Sequence, residues 1–213
     1  MKNNIDYSLY LVTDRDLMAA SSIEECVEQA VRGGCTLVQL REKTASSREF
    51  YETALRVRKI TADLGVPLII NDRADIALAV NADGVHVGRD DLPLDAARRV
   101  LGKDAVIGAS VNNLAEALAA AALGADYLGV GAMFATSTKT DADIASMDEL
   151  RRIRAGIKIP IVVIGGINKN NAPLFAETGI DGIAVVSAIV AQKDPCGAAR
   201  ELKMLFRSTM GKK

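Results

Sequence analysis

The sequence predicts an α/β protein, a (β/α)8 TIM barrel forming a single domain over residues 1–213. Three observations predict it. Short β-branched runs alternate with longer amphipathic segments, the pattern of right-handed βαβ units and a parallel sheet. Eight such runs can be counted, so 213 residues allow about 27 per unit, enough for one strand, one helix and two short loops. The first run ends Val12-Thr13-Asp14 without glycine, where an open dinucleotide-binding sheet would want GxGxxG.

In chain order the strands are expected at Ser8–Val12, Thr36–Leu40, Pro67–Ile70, Gly84–Val87, Ala105–Ala109, Tyr127–Val130, Pro160–Ile164 and Gly182–Val186. Helical patterns fill Ser46–Leu64, Asn113–Leu123 and Met147–Arg154, the first opened by an N-cap at Ser46 or Ser47 with Glu49 to follow. The tail from Ser208 to Lys213 reads as frayed.

Composition excludes more than it names. The chain is 49% hydrophobic and 25% charged, with Lys+Arg 26 against Asp+Glu 27, which is globular rather than disordered. A net charge of -1 gives no global reason to bind nucleic acid or an anionic membrane. There is no apolar run of the ~18 residues a membrane span needs, and no signal-peptide pattern at the start. Cys26, Cys35 and Cys196 have neither CxxC nor metal-ligand spacing and read as reduced, mostly buried thiols of a cytoplasmic protein.

A barrel of this kind places its chemistry at the C-terminal ends of the strands. After the second strand, Gln39, Arg41 and Lys43 share one face while Leu40 takes the other. Two cations and an amide suit a phosphate or diphosphate; a solvated loop with two ordinary salt bridges would look the same. Asn71-Asp72 follows the third strand and Gly88-Arg89-Asp90-Asp91 the fourth. Asp72 and one of Asp90 or Asp91 can therefore meet as a two-carboxylate Mg2+ site, or each can cap the helix that follows. The lone His86 lies between Val85 and Val87 and reads as a hydrogen-bonded structural residue.

The fifth strand ends at Ser110, and the sixth runs into Thr136-Ser137-Thr138-Lys139, a hydroxyl–lysine cluster suited to anionic oxygens or an ordinary Ser/Thr surface loop. Gly165-Gly166 after the seventh strand and Val186-Ser187 at a helix start after the eighth match the recurrent phosphate site of such barrels. Together these describe two anion sites, one cationic and metal-assisted, the other built from backbone.

Leu11-Val12-Thr13-Asp14, Gln39-Leu40-Arg41-Glu42-Lys43, Ile70-Asn71-Asp72-Arg73, Gly84-Val85-His86-Val87-Gly88, Gly129-Val130-Gly131, Thr136-Ser137-Thr138-Lys139 and Ile164-Gly165-Gly166-Ile167 follow one another along nearly the whole chain. The set resembles the thiamine phosphate synthase family. The resemblance implies a transferase of thiamine biosynthesis that joins hydroxymethylpyrimidine diphosphate to thiazole phosphate, or its carboxylated form, and releases diphosphate. It implies that Gln39, Leu40, Arg41, Glu42, Lys43, Asn71, Ser110 and Lys139 hold the pyrimidine diphosphate. Thr136, Ser137, Thr138, Gly166, Val186 and Ser187 would hold the thiazole phosphate, and Asp72 and Asp91 would ligate Mg2+. Arg41, Lys43 and Lys139 would carry the catalytic charge stabilisation. The implied partners are two phosphorylated small molecules, with no nucleic acid or membrane; a homo-oligomer stays open.

The chain departs from the family's pattern in three places. Arg89 stands where glutamine is usual, Ala132 where proline is common, and Ala135 and Ser137 flank Thr136 where prolines are frequent. Fewer rings fixing φ imply a less restrained loop after the sixth strand. A thiazole tautomerase on the same barrel is the nearest rival; such relatives tend to lose the aspartate after Asn71 and to carry histidine at the position of Ala132. A degenerate, non-catalytic phosphate-binding barrel is the second rival, opposed by the full set Arg41, Lys43, Asp72, Asp91 and Lys139.

Overall fold

Eight strands close into a barrel in sequence order: β1 (Leu9–Val12), β2 (Leu37–Leu40), β3 (Leu68–Asn71), β4 (Gly84–Val87), β5 (Val106–Val111), β6 (Tyr127–Val130), β7 (Ile161–Val163) and β8 (Gly182–Val185). All pairings are parallel, and β1 closes on β8 with Leu9 beside Ile183 and Leu11 beside Val185. The structure is a computed structural model that describes residues 5–135, 144–175 and 177–210.

Around the barrel run α1 (Ile23–Gly33), α2 (Ser47–Asp63), α3 (Ala74–Ala79), α4 (Leu94–Leu101), α5 (Leu114–Ala122), α6 (Met147–Gly156), the short α7 (Ser187–Val190) and α8 (Pro195–Met210). A 3-10 turn at Ala172–Phe175 stands between β7 and β8, where the other units carry an α-helix. The helix starts follow local chemistry. Ser22, Ser46, Asn113 and Ser146 each accept a hydrogen bond from the backbone N–H three residues on, and Ser46 with Glu49 forms a reciprocal capping box.

Most boundaries shift from the sequence expectation by a residue or two, and two of these shifts bear on the site. Asn71 is the last residue of β3 rather than the first of a loop, and Ser110 lies inside β5, which runs on to Val111. Pairing of Asn71 with His86, and of Ser110 with Gly129, extends both strands toward the mouth. Of the tail expected to fray from Ser208 to Lys213, the part up to Met210 is helical as the end of α8, and residues 211–213 lie outside the described residues.

Strand alternation sorts the core into two layers. Leu11, Leu40, Ile70 and Val85 point outward against the helices. Tyr10, Leu37, Ile69, Val106, Tyr127 and Val162 fill the barrel interior. Each fully buried Leu or Ile contributes about 1.5–3 kcal/mol relative to exposure, so a one-residue slip of any strand is heavily penalised. Cys26 and Cys35 are buried and free, and burial pushes the Cys26 thiol up to about 11. Among the described residues no helix is long and apolar enough to cross a membrane.

The barrel floor is held by one device repeated before the even strands. Thr36, Asp83, Asp126 and Asp181 each precede such a strand, and each side chain accepts a backbone N–H from the start of the odd strand before it, the first residue at Leu9, Leu68 and Ile161 and the second at Ile107. The three aspartates also pair with an arginine of the neighbouring helix: Arg58 at 3.0 Å, Arg98 at 2.6 Å and Arg154 at 3.1 Å. Floor stability and mouth chemistry are thus drawn from opposite ends of the same strands.

Candidate active site at the barrel mouth

The C-terminal ends of the strands open into a cavity of about 450 Å³. Gln39, Arg41 and Lys43 reach its wall from the β2 side, as alternation requires. Leu40 is buried in the outer core, and the Glu42 carboxylate turns away to pair with Arg15 at 2.8 Å. Neither side chain lines the cavity.

Arg41 is held from behind by the two residues that follow β1. Its N–H donates to Thr13 Oγ1 at 2.9 Å and its guanidinium to Asp14 Oδ2 at 2.8 Å. Lys43 donates to Asp72 Oδ2 at 2.8 Å. The two salt bridges that an ordinary loop would have are therefore present, but both project onto the cavity wall.

Asp72 adopts a left-handed backbone, φ 62°, an uncommon conformation for a side-chain-bearing residue, and its N–H donates to the His86 carbonyl. Asp91 accepts the Gly88 N–H at 2.8 Å. Burial and the neighbouring Asp72 carboxylate raise the Asp91 carboxyl above its ordinary range, against the opposing pull of the Gly88 N–H and Lys43. Asp91 is thus the acid that faces Asp72, while Asp90 is exposed. Neither Asp72 nor Asp91 caps a helix, since α3 starts after Arg73 and α4 after Pro93.

On the opposite rim Gly165 and Gly166 both take left-handed φ, 99° and 64°. A Cβ on Gly166 would meet the Ala135 carbonyl oxygen at 2.8 Å, so the turn admits only glycine without rearrangement. The Gly166 carbonyl is fixed by the amides of Asn168 and Asn171 at 3.1 and 3.0 Å. Val186 and Ser187 line the same side, where α7 begins with no side-chain cap on its first turn. Thr136, Ser137, Thr138 and Lys139, with the loop expectation attached to them, lie outside the described residues.

The cavity floor holds what sequence reasoning missed. Gln39 Nε2 donates to the Tyr10 hydroxyl at 2.8 Å, and that hydroxyl lies 2.8 Å from the Tyr127 hydroxyl. The Tyr127 hydroxyl is 2.9 Å from His86 Nδ1, and His86 Nε2 is 2.9 Å from Ser110 Oγ. His86 is hydrogen-bonded, as expected of a structural histidine, but it also lines the cavity. The available signal was alternation: Tyr10 sits two residues before Val12 and Tyr127 opens β6, both on the inward face, where a buried hydroxyl requires a partner. Arg89 also reaches the wall and pairs with Glu116 at 3.6 Å.

A parallel (β/α)8 barrel with cations and paired carboxylates on one rim, and a glycine turn on the other, defines a barrel enzyme class that handles phosphorylated ligands. The comparisons narrow that class. The family profile of thiamine monophosphate synthase matches residues 9–189, and the chain belongs to this family. It is 60% identical to the thiamine-phosphate synthase of Clostridium beijerinckii over 206 residues, 97% of this chain and 99% of the relative. Against the Clostridium botulinum thiamine-phosphate synthase the identity is 58%, covering 97% of each. The solved thiamine phosphate pyrophosphorylase from Pyrococcus furiosus superposes with a TM-score of 0.90 at 42% identity, covering 97% of this chain and 98% of that one.

Proposed function

We propose that the barrel mouth joins hydroxymethylpyrimidine diphosphate to thiazole phosphate, or its carboxylated form, yielding thiamine phosphate and diphosphate in the cytoplasm. Membership of the family makes the chain a transferase of thiamine biosynthesis. One observation carries the assignment of roles: Arg41, Lys43, Asp72 and Asp91 share a single cavity with the Gly165–Gly166 turn across from them.

The donor set fits Mg2+. Two carboxylates are brought together although like charges oppose this, and the Lys43 ammonium already neutralises one of them. Among the described residues no group of three His, Cys, Asp or Glu side chains forms a metal cage, which suits an ion that fills its shell from water and substrate phosphate. Asp72 and Asp91 would hold the metal, which when bound supplies positive charge to the diphosphate leaving group.

The chain's own groups do the rest. Arg41 and Lys43, with Lys139, hold the diphosphate and stabilise the charge that builds on it as the methylene C–O bond breaks, its electron pair leaving with the diphosphate oxygen. The pyrimidine methylene is left as a resonance-stabilised cation, and the thiazole nitrogen lone pair forms the new C–N bond. That nitrogen has no proton to lose, so the step needs no general base. Gly166, Val186 and Ser187, with Thr136, Ser137 and Thr138, hold the thiazole phosphate so that its nitrogen meets the cation; Gln39, Asn71 and Ser110 hold the pyrimidine.

A Mg2+-dependent assay of diphosphate release with both substrates tests this. The intact protein should release diphosphate and Asp72→Ala should be nearly inactive. No release from the intact protein would refute the transferase reading, and full activity in the variant would refute the metal role.

A further inference from the structure

Four hydrogen bonds run unbroken under the cavity from β2 to β5, through Gln39, Tyr10, Tyr127, His86 and Ser110. We infer that this chain is polarised in one sense, and that Tyr10, Tyr127 and His86 are positioning residues that set a hydrogen-bond acceptor at Gln39 and a donor at Ser110.

The sense follows from the Gln39 amide, whose Nε2 faces the Tyr10 hydroxyl, together with a count of protons. Tyr10 is 1% exposed and Tyr127 0%, so neither phenol proton can be left to water. The Tyr10 oxygen receives the Gln39 amide N–H, and its own proton goes to the Tyr127 oxygen. The Tyr127 proton then goes to His86 Nδ1. An imidazole that accepts at Nδ1 carries its proton at Nε2 and donates it to Ser110 Oγ. With that lone pair taken, the Ser110 proton is left for a ligand, and Gln39 Oε1 is left as an acceptor. Reversing any one member strands a buried proton, so only reversal of all members together, with rotation of the Gln39 amide, gives a second satisfied state.

The surrounding backbone is cut to fit these rings. A Cβ on Gly108 would lie 2.1 Å from Tyr127 Cζ and 2.5 Å from His86 Nδ1, and one on Gly129 would lie 3.1 Å from His86 Cε1. Both glycines leave space that the Tyr127–His86 pair occupies. Gln39 and Ser110 both line the cavity. The ligand class that meets an acceptor at one and a donor at the other is an amino-substituted nitrogen heterocycle, whose exocyclic amine donates and whose ring nitrogen accepts. This identification of the ligand rests on the proposed reaction; the polarity itself does not.

His86 is the only histidine in the chain, so nitrogen-15 labelling of histidine yields two ring signals with no ambiguity of assignment. In the ligand-free protein Nε2 should be protonated and Nδ1 bare. Tyr127→Phe should move the Nδ1 signal further toward that of a free ring acceptor. It should also raise KM for hydroxymethylpyrimidine diphosphate about tenfold, the loss of one neutral hydrogen bond, with KM for thiazole phosphate unchanged. Should Tyr127→Phe fail to fold, Ser110→Ala gives the matching readout, a change confined to Nε2. A protonated Nδ1, a mixture of tautomers, or a Nδ1 signal indifferent to Tyr127→Phe overturns the polarity. An inactive protein with the expected nitrogen signals would refute the proposed reaction and still support the polarised chain.

Discussion

Lys43 Nζ lies 2.8 Å from Asp72 Oδ2, so a candidate diphosphate ligand and a candidate metal ligand neutralise each other before either meets its own partner. On the proposed roles, a divalent cation binding Asp72 would compete with that ammonium, and a displaced ammonium would be free to reach the diphosphate. Lys43 is half exposed, which keeps the pair weak. Lys43→Met should therefore tighten Mg2+ binding to the ligand-free protein by about threefold. The same variant should lower the rate of diphosphate release about a hundredfold, because the charge on the leaving group loses a partner. Calorimetric Mg2+ titration beside the release assay checks both arms; weaker Mg2+ binding would contradict the displacement.

Metal binding should depend on pH through Asp91. Its carboxyl is raised above the ordinary range, chiefly by burial and then by Asp72. A carboxyl raised in the folded state favours stability below its unfolded pKa, and that contribution is lost as pH rises through the raised value. A divalent cation offsets the loss by binding the ionised form. The gain in melting temperature from Mg2+ should thus grow as pH rises through the raised value, and Asp91→Asn should flatten it. Thermal melts over a pH series decide this; a gain independent of pH would remove the role assigned to Asp91.

Asp14 acts on the site only through Arg41, whose guanidinium it holds at 2.8 Å from across the β1–β2 boundary. Asp14→Ala should leave Arg41 charged but misplaced and lower kcat/KM about tenfold. Adding Arg41→Ala to Asp14→Ala should cost less than Arg41→Ala does alone. A double-mutant cycle measures the coupling; strictly additive losses would show that Asp14 does not position Arg41.

At the floor, Asp126 accepts the Ile107 N–H and pairs with Arg98, so removing it strands that N–H and takes one partner from Arg98, which keeps the Gly102, Ala105 and Gly124 carbonyls. Asp126→Ala should destabilise the barrel by about 2 kcal/mol, a fall of about 4–8 °C in Tm, with KM for both substrates unchanged. Denaturant and thermal unfolding beside steady-state kinetics check it. A KM shift without loss of stability would contradict the separation of floor from mouth.

Local pattern carried much of this architecture. Alternation within Gln39-Leu40-Arg41-Glu42-Lys43 separates the cavity-facing residues from Leu40 and Glu42, because a strand has only two faces. The Ser46–Glu49 capping box is legible because both partners lie within one turn. The polarity of Asn71 and Ser110 resembles that of a turn and a strand end, whereas pairing with His86 and Gly129 keeps them in the strands. The partners of Tyr10 and Tyr127, 117 residues apart, could not be read, since only barrel closure brings them together. The clamps at Asp83, Asp126 and Asp181 recur before even strands, yet each aspartate also looks like an ordinary turn residue.

On the proposed function, two phosphorylated substrates meet in one cavity and are joined there. The stoichiometry of products with Mg2+ present, with each substrate omitted in turn, decides this. One thiamine phosphate should form for every diphosphate released, and only when both substrates are supplied. Diphosphate release that continues without the thiazole phosphate, or that yields no thiamine phosphate, would contradict it.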